Sequence, residues 1–352
     1  MSPTTPTIAL CGAGMIARAH ASAAAALGLK VVAVASRTPE RASALADAIG
    51  ARAVGYDDLP AGADVVVVCT PPQCHTDDAV RMLEAGAAVV LEKPLCRTLS
   101  EADRLVEAAE RHGGRLLYAE NLAYAPVFGR MLTLADRVGT PTHLEVRTLS
   151  PLPQWGDFTS DDWGGGALFD LGVHPLALVM LLANATGSGR PTSVRATLRG
   201  GAGHGTDEHA EVTLGFATGF SATVIASWQA TQPQWDLQLA GDRGVVRAEL
   251  MPTVRLEWNG DEVALAPTKV VPAVIEQFGY SGQLAAFVHD LDARRHPTMS
   301  AAVGREVLQV VMGAYRSAGT EGSTVTLPIA ERDNRTPLDW WHRRGATGLT
   351  TP

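Results

Sequence analysis

Through the first third of the chain, short apolar runs alternate with alanine-rich amphipathic stretches, a rhythm that predicts alternating strands and helices. Thr7 to Cys11 reads as a strand, Met15 to Leu27 as a helix and Val31 to Ala35 as a second strand. Pro39 to Ile49 reads as a second helix, with Pro39 suited to a first helical position. Asp64 to Thr70 holds a run of valines, the composition of a strand buried on both faces. A helix from about Thr76 to Ala85, a strand from Ala88 to Leu91, a helix from Ser100 to His112 with Ser100 as its N-cap, and a strand from Arg115 to Ala119 follow. Such alternation implies a parallel sheet with helices on both faces.

After about Asn121 the rhythm changes. Thr142 to Leu149 reads as a strand and Leu171 to Ala183 as an apolar helix. Residues 192–265 then alternate strand-like runs with glycine-containing turns; His209 to Phe216 and Phe220 to Trp228 flank one such turn, the signature of an antiparallel sheet. Helices at about Ser281 to Ala293 and Ala302 to Ala318 are expected to close this domain. The expected architecture is α/β: an N-terminal Rossmann doubly wound parallel sheet over residues 1–121, then an α+β domain with a large, mainly antiparallel sheet over residues 122–330. A polar tail, 331–352, carries Trp340 and Trp341, which are expected to anchor it.

At 352 residues the chain exceeds one ordinary core, which supports two domains. Its 46% hydrophobic and 19% charged residues suit a soluble globular protein. A net charge of -8 without a long basic run speaks against a nucleic-acid partner. Cys11, Cys69, Cys74 and Cys96 lack the paired short spacing of a zinc site and read as reduced thiols, so no metal is expected. No segment reaches about 18 uninterrupted apolar residues, and Met1 to Pro6 lacks the basic start of a signal peptide. The expectation is a cytoplasmic protein without a membrane span.

The first candidate chemistry lies at Gly12-Ala13-Gly14-Met15-Ile16-Ala17, which fits G-x-G-x-x-A between a strand and a helix. Gly12 would make the tight turn and Gly14 would let the backbone approach a pyrophosphate at the helix N-terminus, with Met15 and Ile16 in its first turn. Ala17 still permits close helix–strand packing. NAD sites usually carry an acid at the end of the second strand, whereas this chain has Ser36-Arg37. A guanidinium can pair with a 2'-phosphate, so NADP is favoured, with NAD the alternative.

Further along stand Cys69-Thr70-Pro71-Pro72-Gln73-Cys74-His75, then Leu91-Glu92-Lys93-Pro94-Leu95, and later Gly164-Gly165-Gly166-Ala167-Leu168-Phe169-Asp170-Leu171-Gly172-Val173-His174-Pro175. With the glycine loop, these motifs resemble the glucose-fructose oxidoreductase / inositol dehydrogenase / MocA family from Ile8 to about Pro328. The resemblance implies hydride transfer between a nicotinamide and a carbinol or carbonyl carbon of a sugar, an inositol or a related polyol derivative. It implies that Lys93, Asp170 and His174 gather at the nicotinamide, and that a homodimer or homotetramer forms on the broad second sheet. Two positions depart from many members: Ala177 replaces an Asp three residues after the motif His, and Ala123 replaces an Arg three residues before Pro126, while Asn121 is kept and counts among the cofactor contacts.

Oxidising an alcohol requires removal of its hydroxyl proton, which suits His174; Lys93 would donate a hydrogen bond to the reacting oxygen, or the two roles are exchanged. Asp170, four residues before His174, either orients the ring or caps the helix, which Pro175 argues should start near Leu171. Glu92 would hold the nicotinamide ribose or be an ordinary strand-end carboxylate. Thr70, Pro71 and His75 would line the loop under the cofactor, or form a rigid turn and helix start. Trp155 and Trp163 would offer aromatic faces to a sugar ring or pack a domain interface, and in the family the helix begun by Tyr280 and Gln283 approaches the active site. A redox-neutral NAD-dependent glycosidase and a non-catalytic dinucleotide-sensing regulator are the alternatives; intact Lys93 and His174 argue against the regulator.

Overall fold

The computed structural model describes residues 5–200, 205–330 and 334–343. Met1 to Thr4, the start of the expected tail at Glu331 to Asp333, and its end from Arg344 lie outside them. Two compact units are present.

The first unit begins with β1 (Thr7–Cys11), α1 (Met15–Ala26), β2 (Lys30–Ala35), α2 (Pro39–Ile49), β3 (Arg52–Ala53) and β4 (Val65–Val68). Then come α3 (Pro72–Glu84), β5 (Ala88–Glu92), α4 (Leu99–Arg111) and β6 (Leu116–Ala119). The six strands lie in the order β3-β2-β1-β4-β5-β6, and every pairing is parallel. This is the doubly wound sheet expected from the alternating pattern, and its central valines, Val65 to Val68, are fully buried. The helix starts differ from expectation. Helix α3 begins at Pro72, four residues before Thr76, because proline is tolerated where no N–H is needed. Helix α4 begins at Leu99, so Ser100 lies inside its first turn instead of capping it.

The second sheet is carried by α5 (Pro126–Leu132), β7 (Pro141–Pro151), α6 (Ala167–Asp170), α7 (Val173–Ala185), β8 (Pro191–Gly200), β9 (Asp207–Phe216) and β10 (Ser221–Ser227). It continues through β11 (Gln229–Gly241), β12 (Gly244–Met251), β13 (Arg255–Trp258) and β14 (Asp261–Glu262). The chain goes on as α8 (Ala273–Gln277), α9 (Tyr280–Asp292), α10 (Ala301–Gly319), β15 (Val325–Thr326) and α11 (Pro337–Trp341). Nine strands lie in the order β14-β13-β12-β11-β7-β10-β9-β8-β15. All pairings are antiparallel except β7 with β10. Alternation sets the faces: Leu144, Val146 and Thr148 of β7 are buried, whereas Glu145 and Arg147 look the other way. Helix α7 is buried from Val173 to Val179, as an all-apolar helix must be.

Residues 268–305, which the sequence reading gives to the second domain, belong to the unit of the parallel sheet. Helix α9 packs there, with Gly279 at its start set so close to Asn121 that a Cβ would meet the Asn121 carbonyl oxygen. The Ser281 to Ala293 helix therefore exists but completes the first unit. Trp340 of α11 is 9% exposed and lies under the guanidinium groups of Arg316 and Arg335, so it does anchor this end of the described chain. All four cysteines are thiols outside any disulfide. Among the described residues no helix is long and apolar enough to cross a membrane, and no cluster of His, Cys, Asp or Glu could hold a metal ion.

Candidate functional site

In the first unit, strands β1, β4 and β5 are neighbours and parallel, so their carboxyl ends open on one edge of the sheet. In such sheets ligands bind outside that edge. The turn after β1 is built for close backbone approach. Gly12 has φ +119° and a Cβ placed on it would lie 2.8 Å from the Cys69 carbonyl oxygen. Gly14, by contrast, has nothing within 4 Å of its Cβ position, so the space over the turn is open. Helix α1 starts there with no side-chain cap and no acid in its first turn, leaving its N–H groups to an anion. Met15 is 56% exposed, and Ala17 is fully buried against the sheet. These residues fit the pyrophosphate of a dinucleotide. Replacing Gly12 by Ala should cost about 2 kcal/mol from strained backbone and steric conflict; thermal unfolding with and without dinucleotide measures it.

At the end of β2, Arg37 is exposed, and Ser36 turns its hydroxyl inward to accept from the Thr38 N–H at 3.1 Å. At the end of β4, Thr70 is half-buried and donates to Asp78 Oδ2 at 2.8 Å, and Pro71 occupies the N-cap position of α3. Asp78 also receives the Tyr56 hydroxyl at 2.5 Å, with the Arg81 guanidinium 5.2 Å from the Tyr56 ring centroid. Burial, aided by the Asp78 charge, pushes the Cys11 thiol beneath this cluster up to about 12, so it stays neutral.

His75 holds its ring buried beneath the Thr70–Pro71 loop. It is 1% exposed; Nε2 lies 2.7 Å from the Thr70 carbonyl and Nδ1 2.9 Å from that of Pro94. The imidazole therefore clips the β4 loop to the segment after Lys93. Glu92 is likewise engaged within the protein. It is 4% exposed, and its two oxygens face His20 Nε2 and the Lys93 N–H. Lys93, next along, is half-buried. Asn121, also buried, gives its amide to the Phe278 carbonyl at 2.7 Å, fixing the approach to α9. Tyr280 meets His20 edge-on, and Gln283 is fully buried.

In the second unit, Asp170 and His174 are 4% and 5% exposed. Asp170 is the last residue of α6, and Gly172 holds the N-cap position of α7 with no side-chain cap, so the capping expected of Asp170 is not what is found. The cause lies upstream. Buried Asp207 accepts from Gly166 N at 3.1 Å and Leu168 N at 2.8 Å, nucleating a helical turn before the long helix begins. Leu171 and Gly172 keep right-handed helical backbone, so Asp170 and His174 remain about one turn apart. Pro175 falls in the first turn of α7, where its missing N–H breaks nothing.

The Trp235 ring lies 5.7 Å from the His174 ring, centroid to centroid, and its indole N–H donates to Ser150 Oγ at 3.1 Å. Trp163 packs on Phe158 at 4.5 Å, whereas Trp155 is 53% exposed. Sequence reasoning missed His20, Asp207 and Trp235. Only His20 carried a signal, as a lone imidazole among alanines.

A family model described as "Oxidoreductase family, NAD-binding Rossmann fold" matches residues 7–120, and one described as "GFO/IDH/MocA C-terminal domain" matches residues 130–247. The inositol 2-dehydrogenase of Rhizobium meliloti (strain 1021) is 26% identical over 327 residues, covering 89% of this chain and 97% of that one. The dTDP-3,4-didehydro-2,6-dideoxy-alpha-D-glucose 3-reductase of Streptomyces violaceoruber is 35% identical over 244 residues, 62% of this chain and 69% of that one. Among solved structures, GenD2 from gentamicin A biosynthesis, in complex with NAD, superposes with a TM-score of 0.82 at 27% identity, covering 94% of this chain and 98% of that one. Both domain models, the inositol and sugar enzymes and the shared fold agree: the chain is an oxidoreductase of the Gfo/Idh/MocA family, with an NAD-binding Rossmann domain.

Proposed function

We propose that this enzyme exchanges a hydride between NADP and a carbinol or carbonyl carbon of a sugar, an inositol or a related polyol derivative. The observation that carries the reading is the shared carboxyl edge of β1, β4 and β5. It sets the open Gly14 turn, the Thr70–Pro71 loop and the half-buried Lys93 in one row. The names of the inositol dehydrogenase and of the deoxysugar reductase support the substrate class.

Gly12 and Gly14 admit the pyrophosphate to the N-terminus of α1. When bound, the nicotinamide supplies the hydride acceptor or donor. Lys93 donates a hydrogen bond to the substrate oxygen and stabilises its developing charge. His174 takes or returns the hydroxyl proton, and Asp170, one turn before it, orients the imidazole. Trp155, exposed on its loop, offers an aromatic face to the substrate, as Trp235 does beside His174. Trp163 and Tyr280 are engaged in packing and serve the substrate less directly. Turnover of a panel of sugars, inositols and keto-sugars, followed at 340 nm with both coenzymes, tests the reading. Release of sugar without net absorbance change would assign the glycosidase alternative instead.

The choice of NADP rests on exposed Arg37 in place of an acid at the end of β2. Arg37→Ala should weaken NADP by roughly tenfold or more, the worth of a charge-assisted bond, and leave NAD almost unchanged. Equal losses in a titration with each coenzyme would show that the 2'-phosphate is not read there. The same reading includes a homodimer or homotetramer closing on the outer face of the nine-stranded sheet. That face carries ordered ion pairs, Arg147 with Asp236 at 2.8 Å and Arg255 with Glu249 at 3.2 Å.

A further inference from the structure

Helix α1 turns Ala17, Ala21, Ala23 and Ala24 toward the interior, and His20 stands among them at 1% exposure. A polar ring in such a place is costly unless it is hydrogen-bonded. Its Nε2 lies 2.6 Å from Glu92 Oε1. A carboxylate only accepts, so the Nε2–H donates. Buried Nδ1 has no hydrogen-bond partner among the described residues. The other carboxylate oxygen, Oε2, receives the main-chain N–H of Lys93 at 3.1 Å. Tyr280 of α9 closes the ring in, edge-on, with centroids 5.6 Å apart. Burial alone would push the Glu92 carboxyl up; the bond from His20, the positive charge of that ring when protonated, and Lys93 reverse this and hold it below its ordinary value. Glu92 is therefore an ionised carboxylate with both oxygens committed.

We propose that His20 is a positioning residue for Lys93. The imidazole fixes the Glu92 carboxylate, the carboxylate fixes the Lys93 main-chain nitrogen, and the strand end fixed in this way aims the ammonium. The helix that opens at Gly14 is thereby tied through one short bond to the strand end that carries the lysine. The inference rests on the reading of Lys93 as the group that acts on the substrate oxygen.

Three variants test it: His20→Leu, which removes the donor; His20→Gln, whose terminal amide can reach the same carboxylate oxygen; and Lys93→Met. Each is measured for kcat and KM, for dinucleotide Kd by equilibrium titration, and for hydrogen exchange in the peptide containing Lys93. His20→Leu should lose roughly tenfold or more in kcat, hold its dinucleotide Kd and substrate KM within about threefold, and speed exchange at Lys93. His20→Gln should regain most of the rate and the protection. A His20→Leu enzyme with unchanged kcat and unchanged exchange overturns the proposal. Loss of kcat that the Gln variant does not recover also overturns it, because the effect would then be one of packing. Should His20→Leu fail to fold, the Gln variant decides alone: wild-type protection at Lys93 supports the bond, and lost protection with full rate sinks it. Near-normal turnover by Lys93→Met would remove the underlying reading, whatever His20 does; an inactive Lys93→Met beside a fully active His20→Leu removes only this inference.

Discussion

Lys93→Met lowers kcat by about two to three orders of magnitude, the usual loss when one donor to a developing oxyanion is removed. Methionine keeps the length and apolar stem of lysine but carries no charge. The half-buried side chain can be exchanged without touching the main-chain N–H that binds Glu92. Dinucleotide affinity should change by no more than a few-fold, because the Gly14 turn and the N-terminus of α1 are untouched. Rates at 340 nm and a fluorescence titration of the coenzyme separate the two quantities. A variant turning over at near the wild-type rate would remove lysine from the chemistry.

The second large effect concerns stability. Asp207 is fully buried and accepts from Gly166 N, Leu168 N and the Tyr315 hydroxyl. Asp207→Ala takes the acceptor from the Leu168 N–H and from the Tyr315 hydroxyl, whereas Gly166 N keeps the Tyr315 oxygen at 3.0 Å as a second acceptor. At about 1–3 kcal/mol for each buried group left unpaired, the loss should reach about 3–4 kcal/mol in chemical denaturation. The turn it nucleates precedes Asp170 and His174, so the surviving folded enzyme should also lose rate. Burial holds the Asp207 carboxyl above its ordinary value. A carboxyl raised in the folded state contributes stability that is complete below its unfolded pKa and is lost as pH rises through the folded one. The gap between wild type and Asp207→Ala should therefore narrow as pH is raised above about 4. A gap that widens with pH would show that the buried carboxylate is stabilised by its donors more than it is penalised by burial.

The parallel sheet was legible because its signal is local. Four valines in a row, a proline at a first helical position and glycines at a strand–helix turn each have one cheap structural reading. The candidate residues that came from such strings, Gly12, Gly14, Lys93 and His174, stand at strand or helix ends where motifs are read. What escaped was set by contacts between distant segments. Asp207 sits at the head of β9, an interior strand, and nothing near it in sequence says that it will cap a turn some forty residues earlier. The motif leaves Glu92 open between a ribose contact and a strand-end carboxylate, and His75 between a cofactor loop and a rigid turn; nothing in it foretells their burial or their partners His20 and the Pro94 carbonyl. Asp170 was expected at a cap because Pro175 limits the helix; the turn made possible by Asp207 moved the start of α7 to Val173.

The first unit is stitched from three stretches of chain, one ending at Cys96, one running from Glu101 to Ala125 and one from Thr268 to Arg305. Recombination among relatives meets a rule here. The stretches of the first unit must be inherited from the same parent, and residues 126–267 must come with the stretch that begins at Glu306, because β15 pairs with β8 and the Tyr315 hydroxyl donates to Asp207. A hybrid that mixed the stretches of the first unit would set a foreign α9 against residues 121–125, where Gly279 leaves no room for a methyl group, and against α1, where Tyr280 meets His20 edge-on. Natural variation in this chain is therefore expected to travel in two interleaved sets of segments, each co-inherited within itself.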